Sequence, residues 1–329
     1  MSVLLESGSH RATQRPPPAV IGKAPNRGPA NTLRIALVNN MPDAAFVATE
    51  RQFIRLATGA SDLPLDIQLF HIPAVPRGAD ALAQLAKRYR SIHEMFDLEF
   101  DGLIVTGNEP RAARLDEEPY WHGMMQVVEW AMGNTVASLW SCLAAHAAVL
   151  HLDGIERHRL LRKTSGVLDC TVADPAGLGL PARLSVCHSR MNELRRCDLL
   201  GHGYDIMSEA PDGQVDTFTK VLGSRFLFLQ GHPEYDPDSL MREYRRDAGR
   251  YLAGTRDLYP EVPENYFDTA TTLRMENYRS RAERSRDLRL FDAFPAVGLR
   301  SGLEAGLASS ARALFGNWLS AFTAPVAQI

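Results

Sequence analysis

The sequence predicts an α/β fold in which a mostly parallel open sheet carries helices on both faces. From residue 33 to residue 150, short apolar runs of strand length alternate with segments of helical period, which is typical of a parallel sheet with crossover helices. Two apolar runs lead directly into reactive side chains, and sites in such sheets form beyond the carboxyl ends of strands. Extra β segments and a C-terminal helical extension complete the predicted fold.

The first four elements follow from hydrophobic period and from breakers. Residues 33–38 form an apolar run that predicts a strand, and residues 49–58 predict a helix that Gly59 stops. Residues 65–72 begin with alternating apolar and polar side chains and end before a proline, which predicts a second strand. Residues 79–96 repeat apolar side chains at three- and four-residue steps, which predicts one amphipathic helix.

The next four elements lead to the first reactive side chain. Residues 103–105 predict a short buried strand, and residues 121–132 predict a helix that Gly133-Asn134 ends. Residues 136–140 predict a strand that runs straight into Ser141-Cys142 and an alanine-rich helix up to Leu150.

The later segments are less regular. Residues 166–221 are richer in short β-like stretches and predict an extra edge of the sheet, and residues 226–229 predict another strand. Residues 274–289 are rich in arginine with few apolar positions, which favours a solvated face or a long insertion over a binding patch.

Composition limits the classes of function. Hydrophobic residues make up 45% and charged residues 23% of the chain, as in soluble globular proteins. The net charge of -3 without a basic block argues against nucleic acid as a partner. No apolar stretch approaches the roughly 18 residues that span a bilayer, and residues 3–5 are too short for a signal-peptide core. We therefore expect a cytoplasmic protein that does not enter a membrane.

The chain divides into an arm and a body. Residues 1–31 are rich in Pro, Gly, Ser and Arg without a hydrophobic period, which predicts a mobile arm. Residues 32–329 are expected to form a single domain.

Cysteine and histidine spacing indicates no metal centre. The four cysteines are spread singly, so a disulfide framework is not expected in a reducing cytosol. Cys170, Cys187 and Cys197 are expected to be small buried side chains. Histidines such as His10, His71, His93 and His122 show no ligand spacing. We expect no metal and no tightly bound cofactor.

Two motifs supply the parts of a thiol acyl-transfer site. Cys142 lies on a predicted strand-to-helix turn, where the helix N-terminus favours a thiolate and can stabilise an oxyanion. About ninety residues later, Gly231-His232-Pro233-Glu234 follows a predicted strand. Residues two apart on an extended segment point the same way, so Glu234 can orient His232 as the base. His146, four residues after Cys142, is a competing base without a carboxylate placed to orient it.

With their surroundings, these motifs resemble the class I glutamine amidotransferase fold, and more closely its homoserine O-acyltransferase branch, which makes the activated homoserine ester for methionine synthesis. Amidotransferases flank the nucleophile with glycines, where this chain has Trp140 and Ala144. Segments that resemble the acyltransferases run from about residue 33 to residue 267, with a further one near the end. They are Asn40-Met41-Pro42, Glu50-Arg51-Gln52-Phe53-Ile54-Arg55-Leu56, Asp66-Ile67-Gln68-Leu69, Phe100-Asp101-Gly102-Leu103-Ile104-Val105-Thr106-Gly107, Pro119-Tyr120-Trp121, Lys163-Thr164-Ser165-Gly166-Val167, His188-Ser189-Arg190, Gly231-His232-Pro233-Glu234-Tyr235-Asp236, Asn265-Tyr266-Phe267 and Asn317-Trp318-Leu319.

The resemblance implies a ping-pong cycle with an acyl-CoA and L-homoserine as substrates, and a homodimer. Cys142 would carry the acyl group as a thioester, and His232, oriented by Glu234, would deprotonate first the thiol and then the acceptor hydroxyl. By position, the residues that match substrate contacts of the family are Lys163, Ser189 and Arg246.

The chain departs from the family at the position that sorts acyl donors. There the family has glycine with succinyl-CoA and glutamate with acetyl-CoA, whereas this chain reads Asn108-Glu109-Pro110-Arg111. An arginine can pair with the free carboxylate of a succinyl group, so Arg111 predicts succinyl-CoA, although Glu109 could neutralise it. Residue 40 is Asn in place of the usual leucine, and residues 268–310 do not match the family.

Four alternatives stay open from the sequence. Acetyl-CoA could be the donor, or serine the acceptor, because serine and homoserine differ by one methylene, worth only about 1–3 kcal/mol of discrimination. A glutamine amidotransferase-type hydrolase and a non-catalytic binding module are alternatives of other classes.

Overall fold

A computed structural model describes residues 32–322, so the predicted arm at residues 1–31 lies outside the described residues. Within that range ten strands form one sheet in the order β3-β2-β1-β4-β5-β10-β9-β8-β6-β7. The strands are β1 (Leu33–Val38), β2 (Leu65–His71), β3 (Arg90–Ser91), β4 (Gly102–Val105), β5 (Ala137–Ser141), β6 (His158–Val172), β7 (Arg183–Glu193), β8 (Asp205–Glu209), β9 (Val215–Val221) and β10 (Arg225–Leu229).

The sheet has a parallel half and an antiparallel half. Strands β3, β2, β1, β4, β5 and β10 pair in parallel, while β9, β8, β6 and β7 extend the sheet with antiparallel pairs. The mostly parallel α/β fold and its extra β edge are confirmed. The edge is built from longer strands than expected, since β6 has 15 residues and β7 has 11.

Helices cover both faces of the sheet. They are α1 (Asp43–Ala60), α2 (Ala79–Arg88), α3 (Ile92–Met95), α4 (Trp121–Asn134), α5 (Leu143–Asp153), α6 (Pro175–Leu178), α7 (Arg196–Gly201), α8 (Ser239–Leu252), α9 (Thr269–Ser285) and α10 (Leu303–Ser320), with 3-10 turns at Leu115–Glu117 and Leu288–Ala293.

Strand β1 shows why the parallel strands read as continuous apolar runs. Ile35 and Leu37 pack into a core with α1 and α10, whereas Ala36 and Val38 pack into a second core with α4 and α5. A strand buried on both faces needs apolar side chains at every position. A third core, between α8 and α9, lies beside the antiparallel half.

Two helix predictions need correction. The predicted helix over 79–96 is wrong, because α2 ends at Arg88 and the chain then pairs with the edge of β2 through β3. Ser91 and Glu94 form a capping box that starts α3, so edge pairing and a new cap replace the helical continuation. The helix predicted over 49–58 starts earlier, at Asp43, and continues through Gly59 to Ala60. A Cβ at Gly59 would meet no atom within 4 Å.

The arginine-rich segment 274–289 is not simply a solvated face. Met275, Tyr278 and Ala282 of α9 are buried in the third core, a stripe at three- and four-residue spacing that anchors the helix. The arginines therefore occupy only the outer side of a packed element. Helix α10 likewise packs on the sheet through Leu314, Phe315 and Trp318.

No helix in residues 32–322 is long and apolar enough to cross a membrane. Among the cysteines, Cys170 and Cys187 are buried as expected, but Cys197 is exposed on α7. That expectation fails because Cys197 sits in the first turn of a six-residue helix whose buried side is carried by Leu199.

Candidate active site

Cys142 occupies a strained turn between β5 and α5. Its backbone has φ 50° and ψ -113°, a conformation that a residue with a side chain holds only when its surroundings enforce it. The Cys142 N–H donates to the Leu229 carbonyl of β10 at 2.8 Å, and α5 begins at the next residue. The turn therefore places a partly exposed thiol at the N-terminus of a helix.

His232 and Glu234 lie just beyond the neighbouring strand, β10. The His232 N–H donates to the Cys187 carbonyl of β7 at 2.7 Å, and His232 Nδ1 lies 2.9 Å from Glu234 Oε1. The side chains of His232 and Cys142 also hydrogen-bond. The structure thus brings the three predicted catalytic side chains into a continuous Cys–His–Glu chain.

The electrostatics of the Cys142–His232–Glu234 triad favour a protonated imidazole at His232. Burial by itself lowers the pKa of His232, but the charges of Glu234 and Cys142 and the hydrogen bonds to both raise it well above its ordinary value. The Tyr235 ring stacks on the imidazole with ring centroids 4.3 Å apart. His232 is therefore held in place and suited to accept a proton from a thiol.

His146, the competing base, faces a different group. Its Nε2 lies 3.1 Å from Gln230 Oε1. Burial, with the charges of Arg190 and Arg157, lowers the pKa of His146 to about 3. Because an imidazole with that pKa is a very weak base near neutral pH, the geometry favours His232.

Gly231 has no room for a side chain, because buried side chains pack directly against it. A Cβ at this position would stand 2.6 Å from Val186 Cγ1, 2.7 Å from Asp216 Oδ1 and 2.8 Å from His188 Nε2. His188 and Asp216 form a buried pair at 3.1 Å. The absence of a side chain at Gly231 therefore lets the catalytic segment lie directly on this buried pair.

Cys170 joins His188 and Asp216 in a buried group of metal-capable side chains. Asp216 already accepts hydrogen bonds from Ser208 and Thr217 at 2.7 and 2.9 Å, besides its pairing with His188. The group thus joins β6, β7 and β9 beneath the site. The prediction that no metal is bound rests on sequence spacing alone and stays a prediction.

Lys163, Ser189 and Arg246 meet at a pair of acidic side chains on α8. Lys163 Nζ lies 3.5 Å from Glu243 Oε2 and 3.6 Å from Asp247 Oδ2. Ser189 donates a hydrogen bond to Glu243, and Arg246 Nε donates to Asp247 Oδ1 at 3.1 Å. The three residues predicted from the family pattern are therefore brought together.

Glu243 is the centre of this group, and sequence reasoning missed it. Tyr235, which stacks on His232, also donates to Glu243 Oε1 at 2.6 Å. Burial by itself raises the pKa of Glu243, but the charge of Lys163 and the hydrogen bonds from Ser189 and Tyr235 lower it below the ordinary value. Its spacing of four residues from Asp247 on an amphipathic helix was the signal that could have found it.

A cavity of about 680 Å³ joins the two groups, and Cys142, His232, Lys163 and Glu243 all line it. That volume is in the range of small-molecule sites. Arg111 differs from the other predicted residues, because its side chain is exposed and is not part of the cavity wall. Arg157, which sequence reasoning did not single out, is part of that wall.

The family model and the sequence relatives agree on one family. The model of the homoserine O-succinyltransferase family matches residues 22–327. The homoserine O-succinyltransferase of Rhodopseudomonas palustris is 47% identical over 301 residues, covering 90% of each chain. That of Bradyrhizobium japonicum is 46% identical over 291 residues, covering 87% of this chain and 89% of the relative. A solved glutamine amidotransferase from Thermotoga maritima aligns with 88% of this chain and 96% of its own, at 13% identity and a TM-score of 0.45.

Proposed function

This chain belongs to the homoserine O-succinyltransferase family, and we propose that it transfers a succinyl group from succinyl-CoA to the hydroxyl of L-homoserine. The product is O-succinyl-L-homoserine, and its formation is a step of methionine biosynthesis. The observation that carries the mechanism is the strained turn at Cys142 beside His232, whose Nδ1 lies 2.9 Å from Glu234 Oε1. A cytoplasmic location and a homodimer are part of the same proposal.

In the first half-reaction, His232 takes the proton of the Cys142 thiol. The thiolate attacks the thioester carbonyl of succinyl-CoA, and the resulting tetrahedral intermediate collapses with loss of the CoA thiolate. His232 returns its proton to that leaving group, so Cys142 is left as a succinyl thioester and free CoA is released. Glu234 supports both steps because its charge stabilises the imidazolium.

The oxyanion of each tetrahedral intermediate would bind at the first turn of α5. The N–H groups of a helix's first turn lack intrahelical acceptors, and a donor aimed at a developing oxyanion is worth about 2.7–4 kcal/mol. Gly107 supports this assignment, because a Cβ there would stand 2.9 Å from the Leu143 nitrogen. Glycine keeps that N–H open to the cavity.

In the second half-reaction, homoserine binds beside the thioester. Glu243 and Asp247 offer carboxylates for its ammonium, and Lys163 and Arg246 offer cations for its carboxylate. His232 removes the proton of the γ-hydroxyl, and the oxygen attacks the thioester carbonyl. Cys142 leaves as the thiolate and recovers its proton from His232, which completes the cycle.

Steady-state kinetics test this proposal. With succinyl-CoA and homoserine varied together, the double-reciprocal plots should be parallel, as for a ping-pong enzyme, and O-succinylhomoserine should form in step with CoA release. Serine and acetyl-CoA, offered separately, test the alternative acceptor and donor. Intersecting lines, or faster turnover with acetyl-CoA than with succinyl-CoA, would contradict the proposal.

A further inference from the structure

Arg157 differs from the other cations around the cavity. In the part of the chain that the structure describes, six other cationic side chains of the cavity wall have ion-pair or hydrogen-bond partners. Arg157 lines the same wall and makes neither an ion pair nor a hydrogen bond within residues 32–322. The six paired side chains are Lys163, Arg190, Arg242, Arg246, Arg250 and Arg256.

The loop that carries Arg157 is well anchored. It joins α5 to β6 and starts at Gly154, whose left-handed conformation (φ 68°) ends the helix. Ile155 is buried in the core beside α5, and His158 Nε2 lies 2.9 Å from Asp198 Oδ2. The backbone on both sides of the half-buried Arg157 is therefore anchored, although its guanidinium has no partner among the described residues.

Arg157 and the proposed nucleophile Cys142 line the same cavity. Burial lowers the pKa of Arg157, while Tyr120, Cys142 and Glu118 raise it. The shift leaves an arginine protonated at neutral pH. The Glu118 carboxylate accepts backbone N–H groups of Arg111 and Ala112 and makes no ion pair with Arg157.

We propose that Arg157 binds the distal carboxylate of the succinyl group that Cys142 carries. The inference rests on the proposed function and names the part of the site that recognises the acyl donor. A guanidinium matches a carboxylate with two parallel hydrogen bonds, and the two methylenes of succinate separate that carboxylate from the thioester. Arg111 is exposed outside the cavity wall and lacks this placement.

The test compares two acyl donors that differ only at this position. Butyryl-CoA has a methyl group where succinyl-CoA has its distal carboxylate. Mass spectrometry follows the rate of adduct formation at Cys142 for the wild type, Arg157→Gln, and the matched control Arg159→Gln, whose exposed side chain is on the next strand outside the cavity. A charge-assisted hydrogen bond contributes about 1.5–3 kcal/mol, so Arg157→Gln should lower the succinyl-to-butyryl rate ratio about 10- to 100-fold. The ratio in Arg159→Gln should equal that of the wild type.

The outcomes separate this inference from the proposed function. Equal slowing with both donors in Arg157→Gln would overturn the inference and indicate a structural role, as would a larger fall of the ratio in Arg111→Gln. Arg157→Lys keeps the positive charge but loses the planar guanidinium that donates two parallel hydrogen bonds, so it should lower the ratio about tenfold. This variant decides the case if Arg157→Gln does not fold. A wild-type protein that forms no adduct with either donor would overturn the thioester mechanism itself, whatever the variants do.

Discussion

The two halves of the sheet contribute different kinds of groups to one cavity. The parallel half provides reacting groups at strand ends, with Cys142 after β5 and His232 after β10. The antiparallel half provides Lys163 and Ser189 from within β6 and β7, and α8 covers them with Glu243. In the proposed mechanism, the first half performs the acyl transfer and the second recognises the amino acid.

The cations of the cavity also differ in how their charges are balanced. Lys163 and Arg246 are already paired with Glu243 and Asp247, so a zwitterionic acceptor can exchange partners without leaving a net charge. Arg157, which lines the same cavity as Cys142, has no such partner in the described residues. In the proposed account, the paired groups bind a zwitterion and the unpaired Arg157 binds a lone anion.

Replacement of His232 should have the largest effect on catalysis. The variant His232→Asn removes the base of both half-reactions, and we expect kcat to fall on the order of 10⁴-fold. His146→Asn is the matched control, because the pKa of His146, lowered to about 3 by burial and nearby arginines, leaves it unsuited to proton transfer. Comparable losses in two equally stable variants would contradict the assignment of the base.

Glu234→Gln should have the next largest effect, a loss on the order of 10²-fold in kcat/KM for the acyl-CoA. Burial lowers the pKa of His232, and the charge of Glu234 is the largest of the influences that raise it. Without that charge the imidazolium loses its proton more easily, so the acidic limb of the pH profile, which reports the free base that takes the thiol proton, should move to lower pH. A limb that stays in place or moves to higher pH would contradict this role.

Lys163→Met should show that the two halves of the cavity have different roles. Loss of a charge-assisted contact of about 1.5–3 kcal/mol should raise KM for homoserine about 10- to 100-fold. The rate of acyl-adduct formation should change far less. Lys220→Met is a suitable control, since Lys220 pairs with Asp153 at 2.7 Å outside the cavity wall. If Lys163→Met slowed adduct formation as much as acceptor turnover, the division would be wrong.

Gly231→Ala should weaken the junction of the two halves and give the smallest effect. The added methyl group would overlap Asp216 and His188, and such overpacking costs about 1–3 kcal/mol. Denaturant unfolding should show that loss of stability. The control Gly59→Ala should be neutral or stabilising, because Gly59 lies in helix α1 and a Cβ there would meet no atom within 4 Å. A Gly231→Ala protein as stable as the wild type would show that the junction can relax.

The sequence predicted the parallel half better than the antiparallel half, for physical reasons. Strands such as β4 and β5 are buried on both faces and read directly as apolar runs, and a reactive side chain after such a run is a local signal. Lys163 and Ser189 lie within partly exposed strands, where only family resemblance singled them out. Glu243 and Arg157 depend on tertiary contacts, because their significance lies in which charges do and do not meet them.

The central claim is that Cys142 carries the acyl group, and mass spectrometry of the protein mixed with succinyl-CoA tests it most directly. The account predicts one succinyl adduct on the peptide that contains Cys142, released by homoserine as O-succinylhomoserine and missing from Cys142→Ala. An adduct that persists in Cys142→Ala, or product formation by that variant at the wild-type rate, would contradict the claim.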